Sequence, residues 1–355
     1  MPDSETRESI QRRKQAHLDC CLDPTARTAA DPFKDLVLPY NALFEVPDSA
    51  LDTTVQVLGK TLKFPLMFGA MTGGIDSVRL FNTTLRRLAS EHGLALCLGS
   101  MRAALRDTAL IPTYGQGHVD VLFANIGASE IMADTYSPDE IASCCEKLGC
   151  CGLMVHLNGL QEFVQQEGNH DFSCNLAKLS DFIQRFPMPV FVKEVGSGIG
   201  GDCLQRLCTT NVAGIELACR GGTSWIRIEA LRREHPISAP NLEALDQLGY
   251  TLPQVLPGAK KLLRNRTLAA SGGISNALVL VKCLALGADL CAVAQPWYQI
   301  YHDGGISALE AAVQEWIDIG RLIIRSTGAK NLAELRHHCQ TPSASGNGSS
   351  ALSRM

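Results

Sequence analysis

Residues 266–296, RTLAASGGISNALVLVKCLALGADLCAVAQP, read as one strand–turn–helix–strand unit. Arg266–Ala270 has the apolar run of a strand and Ser271-Gly272-Gly273-Ile274 is a glycine turn. Asn276–Leu286 carries Leu278, Val281, Leu284 and Ala285 at helical spacing, and Asp289–Val293 is a second strand. The run Leu290-Cys291-Ala292-Val293-Ala294 is continuously apolar, as a parallel strand covered on both faces requires. Two glycines ahead of a helix let backbone amides approach an anion closely. A tight turn with no ligand fits the same residues equally well, so the rest of the chain must decide.

The same rhythm extends outward. Strands are expected at Phe64–Phe68, Ala95–Leu98, Val119–Ala124, Gly152–His156, Pro189–Val195 and Ala213–Ala218, ahead of the two already described. Helices fit at Asp76–His92, Pro138–Leu148, Leu176–Arg185 and Asp202–Thr209, and a last one at Ile306–Arg325 follows the eighth strand. Alternation of this kind implies parallel β/α connectivity, and eight strands favour a closed (β/α)8 TIM barrel in the α/β class. The Cys219–Lys261 interval reads as an inserted loop region near the active face. The expected organisation is a basic arm and cover segment over residues 1–60, a barrel over 61–330 and a disordered tail over 331–355. The Ser-, Gly- and Asn-rich stretch from Thr341 gives the reason for the tail.

Composition narrows the function classes. The 355 residues are 46% hydrophobic and only 19% charged, which suits a large core and a buried homo-oligomer surface. A net charge of −4 leaves no basic footprint for nucleic acid. No apolar run has the length of a membrane span, and the polar N-terminus is unlike a signal peptide. The 14 cysteines occur singly or as adjacent pairs without C-x-x-C spacing, so they read as buried thiols of a reducing cytoplasm.

Polar residues gather after successive strands, the face where such barrels keep their chemistry. They are Gly69-Ala70-Met71-Thr72-Gly73-Gly74, Gly99-Ser100-Met101-Arg102, Asn125-Ile126-Gly127, His156 to Glu162, Lys193-Glu194 and Arg220-Gly221-Gly222-Thr223. Phosphate commonly sits on the loops after strands seven and eight, which favours the anion reading of Gly272 and Gly273. Lys193 leaves an apolar strand, either to stabilise negative charge at the mouth or to pair with Glu216. A pair with Glu194 is excluded, because neighbouring strand residues face opposite ways. Arg13, Lys14, His17 and Arg102 are either a solvated surface or a clamp for a polyanion. Glu162 is either an exposed carboxylate at a helix start or a ligand for Mg²⁺ against a phosphate.

In this order the motifs resemble the type 2, flavin-dependent isopentenyl-diphosphate isomerases. The matching pieces run from Arg13-Lys14 with His17, through Ala70-Met71-Thr72-Gly73-Gly74, Gly99 to Leu105 and Ala124 to Ala128. They continue with His156-Leu157-Asn158, Leu160-Gln161-Glu162, Val192 to Gly196, Gly221 to Trp225 and Ser271 to Ile274. The resemblance implies FMN, Mg²⁺ and a reductant such as NADPH, and a homotetramer or homo-octamer. It implies that Ala70, Met71, Thr72, Ser100, Asn125, Lys193 and Thr223 contact the flavin, and that Gly272, Gly273, Ile274, Ala294 and Gln295 enclose its phosphate. Arg13, Lys14, His17, Ser100, Met101, Arg102, His156 and Gln161 would meet an allylic or homoallylic diphosphate, and Glu162 the metal. Gln161 and Lys193 would be catalytic, with reduced flavin as acid and base in a 1,3-allylic proton shift. The alternatives are a flavin-barrel oxidoreductase acting on a hydroxy acid or a nucleotide, and a non-catalytic flavin or diphosphate sensor.

The sequence departs from the family pattern at Ala16, Met101, Gly159, Cys219 and Gln295. Gln295 replaces a glycine at the phosphate cup, where a side chain is expected to narrow the space. A backbone N–H contact there would survive the change.

Overall fold

The computed structural model describes residues 7–28, 31–170 and 172–340. Eight parallel strands close a barrel: β1 (Leu66–Phe68), β2 (Ala95–Cys97), β3 (Val121–Gly127), β4 (Gly152–His156), β5 (Val190–Lys193), β6 (Gly214–Glu216), β7 (Thr267–Ser271) and β8 (Leu290–Val293). Each expected strand is present, most of them a residue or more shorter. Pro138–Leu148 and Leu176–Arg185 are helices at the expected bounds, and the basic arm contains a helix, Arg7–Leu22.

Strand parity divides the core in two. Leu122, Ala124, Leu153, Val155, Val190 and Val192 face the helices. Their neighbours Val121, Phe123, Met154, Phe191, Ala269 and Ala292 fill the barrel interior. Phe123 and Phe191 meet there edge to face at 4.8 Å, and Gly214 keeps the space beside Phe191 open, since any Cβ would collide with the ring. Truncating such a buried ring costs about 3–5 kcal/mol. Two residues further along the same inward parity, apolar gives way to polar: Asn125, His156, Lys193, Glu216 and Ser271. Register places His156 opposite Lys193 and Lys193 opposite Glu216, so this layer of side chains rims the barrel's C-terminal end.

The opposite end is plugged by a hairpin, Val55–Val57 with Lys60–Leu62, turning through Leu58 and Gly59 at φ 51° and 74°. Positive φ at both turn residues is the geometry that suits a two-residue hairpin. Val57 and Leu62 are buried with the interior cluster, which gives the cover segment a physical task.

Three expectations need correction. The Cys219–Lys261 interval is not loop but largely helical, with Trp225–Arg232, Ala239–Asp246 and Leu252–Leu263. The tail expected over 331–355 begins instead with a helix, Leu332–Gln340, whose Leu332 and Leu335 are buried; residues 341–355 lie outside the described residues. The last barrel helix starts at Gln295 and runs to Ser326, with a break at Gly305 (φ 70°, ψ −161°) near the expected start at Ile306. Among the described residues no helix is long and apolar enough to cross a membrane.

Candidate active site

Two cavities share the barrel mouth. A trough of about 420 Å³ runs from Ala70, Met71 and Lys193 past Glu216 and Thr223 to Gly272, Gly273, Ile274, Ala294 and Gln295. A narrower chamber of about 160 Å³ is lined by Arg13, Lys14, His17, Ser100, Arg102, Asn125, His156, Gln161 and Glu162. Ala70, Met71, Lys193, Val195 and Trp225 line both, so the chamber opens onto the inner end of the trough. Thr72 lies on the chamber side.

The trough is built of backbone. Gly222 packs so closely on the next turn that a Cβ would lie 2.7 Å from the Gly273 nitrogen. Gly272 and Gly273 hold φ of 96° and 76°, a region that favours glycine. Asn276 caps the following helix by accepting from the Val279 N–H at 3.0 Å, which fixes the turn. Gln295 does not narrow the cup as expected. Its side chain is buried, donating to the Cys21 carbonyl at 3.1 Å and to Gln299 Oε1 at 3.3 Å. Cys219 likewise stays out of the trough: it is buried, with its Sγ packed against Gly198.

At the junction Lys193 Nζ donates to the Glu194 carbonyl at 2.9 Å and stands 3.4 Å from Glu216 Oε1. Lys193 therefore makes the Glu216 pair and also lines both cavities. Ser271 Oγ donates to the same Glu216 oxygen at 2.8 Å, whereas Glu216 Oε2 is buried without a partner. Such an orphan is costly unless a ligand donor meets it. The Glu194 carboxylate faces away, its Oε2 accepting from the N–H groups of Val195, Gly196, Ser197 and Gly198 at 2.5–2.9 Å. Burial nevertheless pushes the Glu194 carboxyl up, against those hydrogen bonds.

The chamber is built of side chains. The arm helix lies over its own barrel, with Ile10 packed against Ala103 and Leu110. Lys14 reaches the Gly73 carbonyl, which requires the bare glycine loop after β1. Arg102 stands 3.4 Å from Glu130. His156 Nδ1 meets Asn125 Oδ1 at 2.9 Å, which selects the Nδ1–H tautomer when that oxygen accepts. Burial, then the charges of Lys193 and Arg102, push His156 down to about 3, so it is neutral near pH 7. Glu162 accepts from Asn158 Nδ2 and from the Asn169 N–H, both at 2.9 Å, and the adjacent Asn158 Oδ1 is buried without a partner.

Glu229 is the residue that sequence reasoning missed. Ser224 caps the helix Trp225–Arg232 through the Arg227 N–H, and this helix carries Glu229 under the chamber. Glu229 Oε1 accepts from Gln161 Nε2 at 2.8 Å and meets His17 Nε2 at 2.9 Å, while Arg232 binds its other oxygen. Burial raises the Glu229 pKa, but His17, Arg232 and Gln161 outweigh it and hold the carboxyl below its ordinary value. Met101 is the one expected site residue not brought to the mouth. Its side chain is wholly buried in the outer core and its N–H donates to the Asn125 carbonyl, so the side chain does not reach the chamber that Ser100 and Arg102 line.

The fold and the site define a closed β/α barrel with a two-cavity mouth at the C-terminal ends of its strands. The barrel superposes on a mandelate oxidase variant carrying an FMN adduct (TM-score 0.62, 13% identity, covering 91% of this chain and 90% of that one). It also superposes on a flavocytochrome b2 variant with sulfite bound (TM-score 0.63, 14% identity, 100% and 87%). At such identities the likeness is one of fold. No family model matches the chain. Curated relatives do: the isopentenyl-diphosphate delta-isomerase of Mycolicibacterium gilvum is 34% identical over 92% of this chain and 96% of its own. That of Pelodictyon phaeoclathratiforme is 35% identical over 94% and 98%, and that of Stutzerimonas stutzeri 34% over 93% and 97%. The chain belongs to the isopentenyl-diphosphate delta-isomerase family, in its type 2 barrel form.

Proposed function

We propose that the protein interconverts isopentenyl and dimethylallyl diphosphate, with FMN in the trough, the substrate diphosphate in the chamber and Mg²⁺ at Glu162. The observation that carries this reading is the junction of the two cavities at Lys193, where a planar cofactor and a small anion would meet. The residues fit FMN: the glycine turns leave room for its phosphate, and the orphaned Glu216 Oε2 calls for a ligand donor. They also fit Mg²⁺, because Glu162 and the orphaned Asn158 Oδ1 offer oxygen ligands beside a site for phosphate. Reduced FMN, maintained by a reductant such as NADPH, would supply the acid and base needed to shift a proton along an allyl unit.

The chain's own residues supply binding and orientation. Arg13, Lys14, His17 and Arg102 bind the diphosphate, and that remote grip fixes the alkene over the trough. Lys193 stabilises negative charge at the inner end of the trough. Glu229 engages the amide NH₂ of Gln161 and leaves its carbonyl oxygen available to the chamber. An amide is too weak a base to act alone, so Gln161 positions the alkene and relays a proton at that oxygen. Neutral His156 adds a hydrogen-bonding ring without a competing charge.

The oxidoreductase alternatives find less support. Arg220 donates to the Asp246 carbonyl at 3.4 Å in the inserted region. Cys203, which follows the glycine loop Gly198–Gly201 as the nucleophile of a nucleotide dehydrogenase would, is exposed on the helix Gly201–Cys208. Neither residue lines the trough or the chamber. Substitution Glu162→Ala is expected to raise the Mg²⁺ concentration needed for half-maximal rate, while flavin content stays unchanged. An unaltered Mg²⁺ titration would remove Glu162 as the metal ligand.

A further inference from the structure

The phosphate end of the trough has a cation that no family motif supplies. Of the side chains lining the trough among the described residues, two are cationic, Lys193 and Arg27. Lys193 is committed at the inner end, so the outer end, where Gly272 and Ala294 form the cup, is left with Arg27. A dianionic phosphate held by amides alone gains from a guanidinium beside it.

Arg27 sits there by construction. The segment after the arm helix runs antiparallel to the loop after β6. Arg27 bridges Thr223, the Ala26 carbonyl accepts from the Ser224 N–H at 2.8 Å, and the Thr28 N–H donates to the Gly222 carbonyl at 2.9 Å. Arg27 Nη2 donates to Gln299 Oε1 at 2.8 Å, and Gln299 lies one helical turn beyond Gln295. The Arg27 backbone is thus tied to one wall of the cup and its guanidinium to the other. Neither nearby acid closes an ion pair with it, although its charge helps hold the Asp303 carboxyl below its ordinary value. Asp31 turns its carboxylate to the Phe33 N–H at 2.8 Å, and Asp303 is held by Gln299 and His302.

We infer that Arg27 is a cofactor-phosphate residue, Gln299 its positioning residue, and the segment around Arg27 a wall of the cup. This rests on the reading of the trough as an FMN site, and it adds a residue from outside the barrel to that site. Arg27 is exposed, so solvent screens part of the effect.

The test is to titrate FMN and, separately, riboflavin (the same ring without phosphate) into apoprotein and follow quenching of flavin fluorescence. Arg27→Ala is expected to weaken FMN about tenfold and leave riboflavin unchanged, with Arg27→Lys recovering part of the loss. Gln299→Ala is expected to give a smaller loss, again for FMN alone. FMN affinity unchanged in Arg27→Ala would overturn the inference while leaving the FMN site standing. An equal loss for riboflavin would overturn it too, by showing that Arg27 acts on the shape of the trough. Wild-type protein that binds neither flavin would overturn the FMN reading itself, and the inference with it.

Discussion

The trough and the chamber are two halves of one mouth built from opposite materials. The cup of the trough, between β6 and β8, is shaped mainly by glycine backbone, with Arg27 the one cation at its outer end among the described residues. Gln295 can therefore replace a glycine by turning its side chain to Cys21, and the cup stays open. The chamber is lined instead by side chains from the arm helix, β3, β4 and the loops that follow, with His156 held by Asn125 and Gln161 by Glu229. The lesson is that a site made of backbone tolerates a change of residue that keeps its volume. One made of side chains does not tolerate loss of a functional group.

Substitutions that strike one half and spare the other test this contrast. The largest effect is expected for Lys193→Ala, which belongs to both halves. It strands Glu216, almost fully buried, without its cation, at a cost of about 3–5 kcal/mol in thermal unfolding, and abolishes turnover. Retained stability would mean that Glu216 does not depend on that charge. Next is Gln161→Ala, for which turnover should fall at least about 100-fold while the flavin absorbance of purified protein is unchanged. Equal losses of rate and flavin would erase the distinction between the halves. Gly222→Ala should do the reverse. A Cβ 2.7 Å from the Gly273 nitrogen crowds the cup and weakens FMN by roughly tenfold, while enzyme saturated with FMN keeps most of its rate.

A separate test of the chamber is in pH. The His156 pKa falls from 6.5 to about 3 on folding, so between these values the unfolded chain binds the proton that the folded chain refuses. This contribution to stability is complete above about pH 6.5 and declines as pH falls toward 3. Denaturant midpoints measured from pH 7 to pH 4 should fall less steeply in His156→Asn than in the native chain. Parallel slopes would show that His156 is not the group responsible.

Much of this was legible in the sequence, for a physical reason. A parallel barrel buries both faces of its strands, so eight apolar runs ending in glycine or polar residues stand out without any tertiary knowledge. Pro138–Leu148, with Ser137 and Glu140 forming a capping box, could be bounded to the residue. The mouth was legible wherever a motif sits on a strand tip, and that covers Lys193, Gln161 and Arg102. Glu229 was hidden because its role depends on the docking of a helix 68 residues after Gln161, and nothing local distinguishes it from a surface acid. Met101 could not be told from its motif neighbours in the sequence, although its side chain points into the outer core. Leu332–Gln340 was taken for tail because it docks on the barrel through only a few buried residues.

The central claim is that the mouth moves a proton and leaves the redox balance untouched. The direct measurement is to supply isopentenyl diphosphate with FMN, Mg²⁺ and a limiting amount of NADPH, and to follow dimethylallyl diphosphate by proton NMR alongside NADPH absorbance. The account predicts many turnovers of product for each NADPH consumed, in protein that has bound FMN. Product formed only in step with NADPH oxidation, or no product from flavin-loaded enzyme, would contradict it.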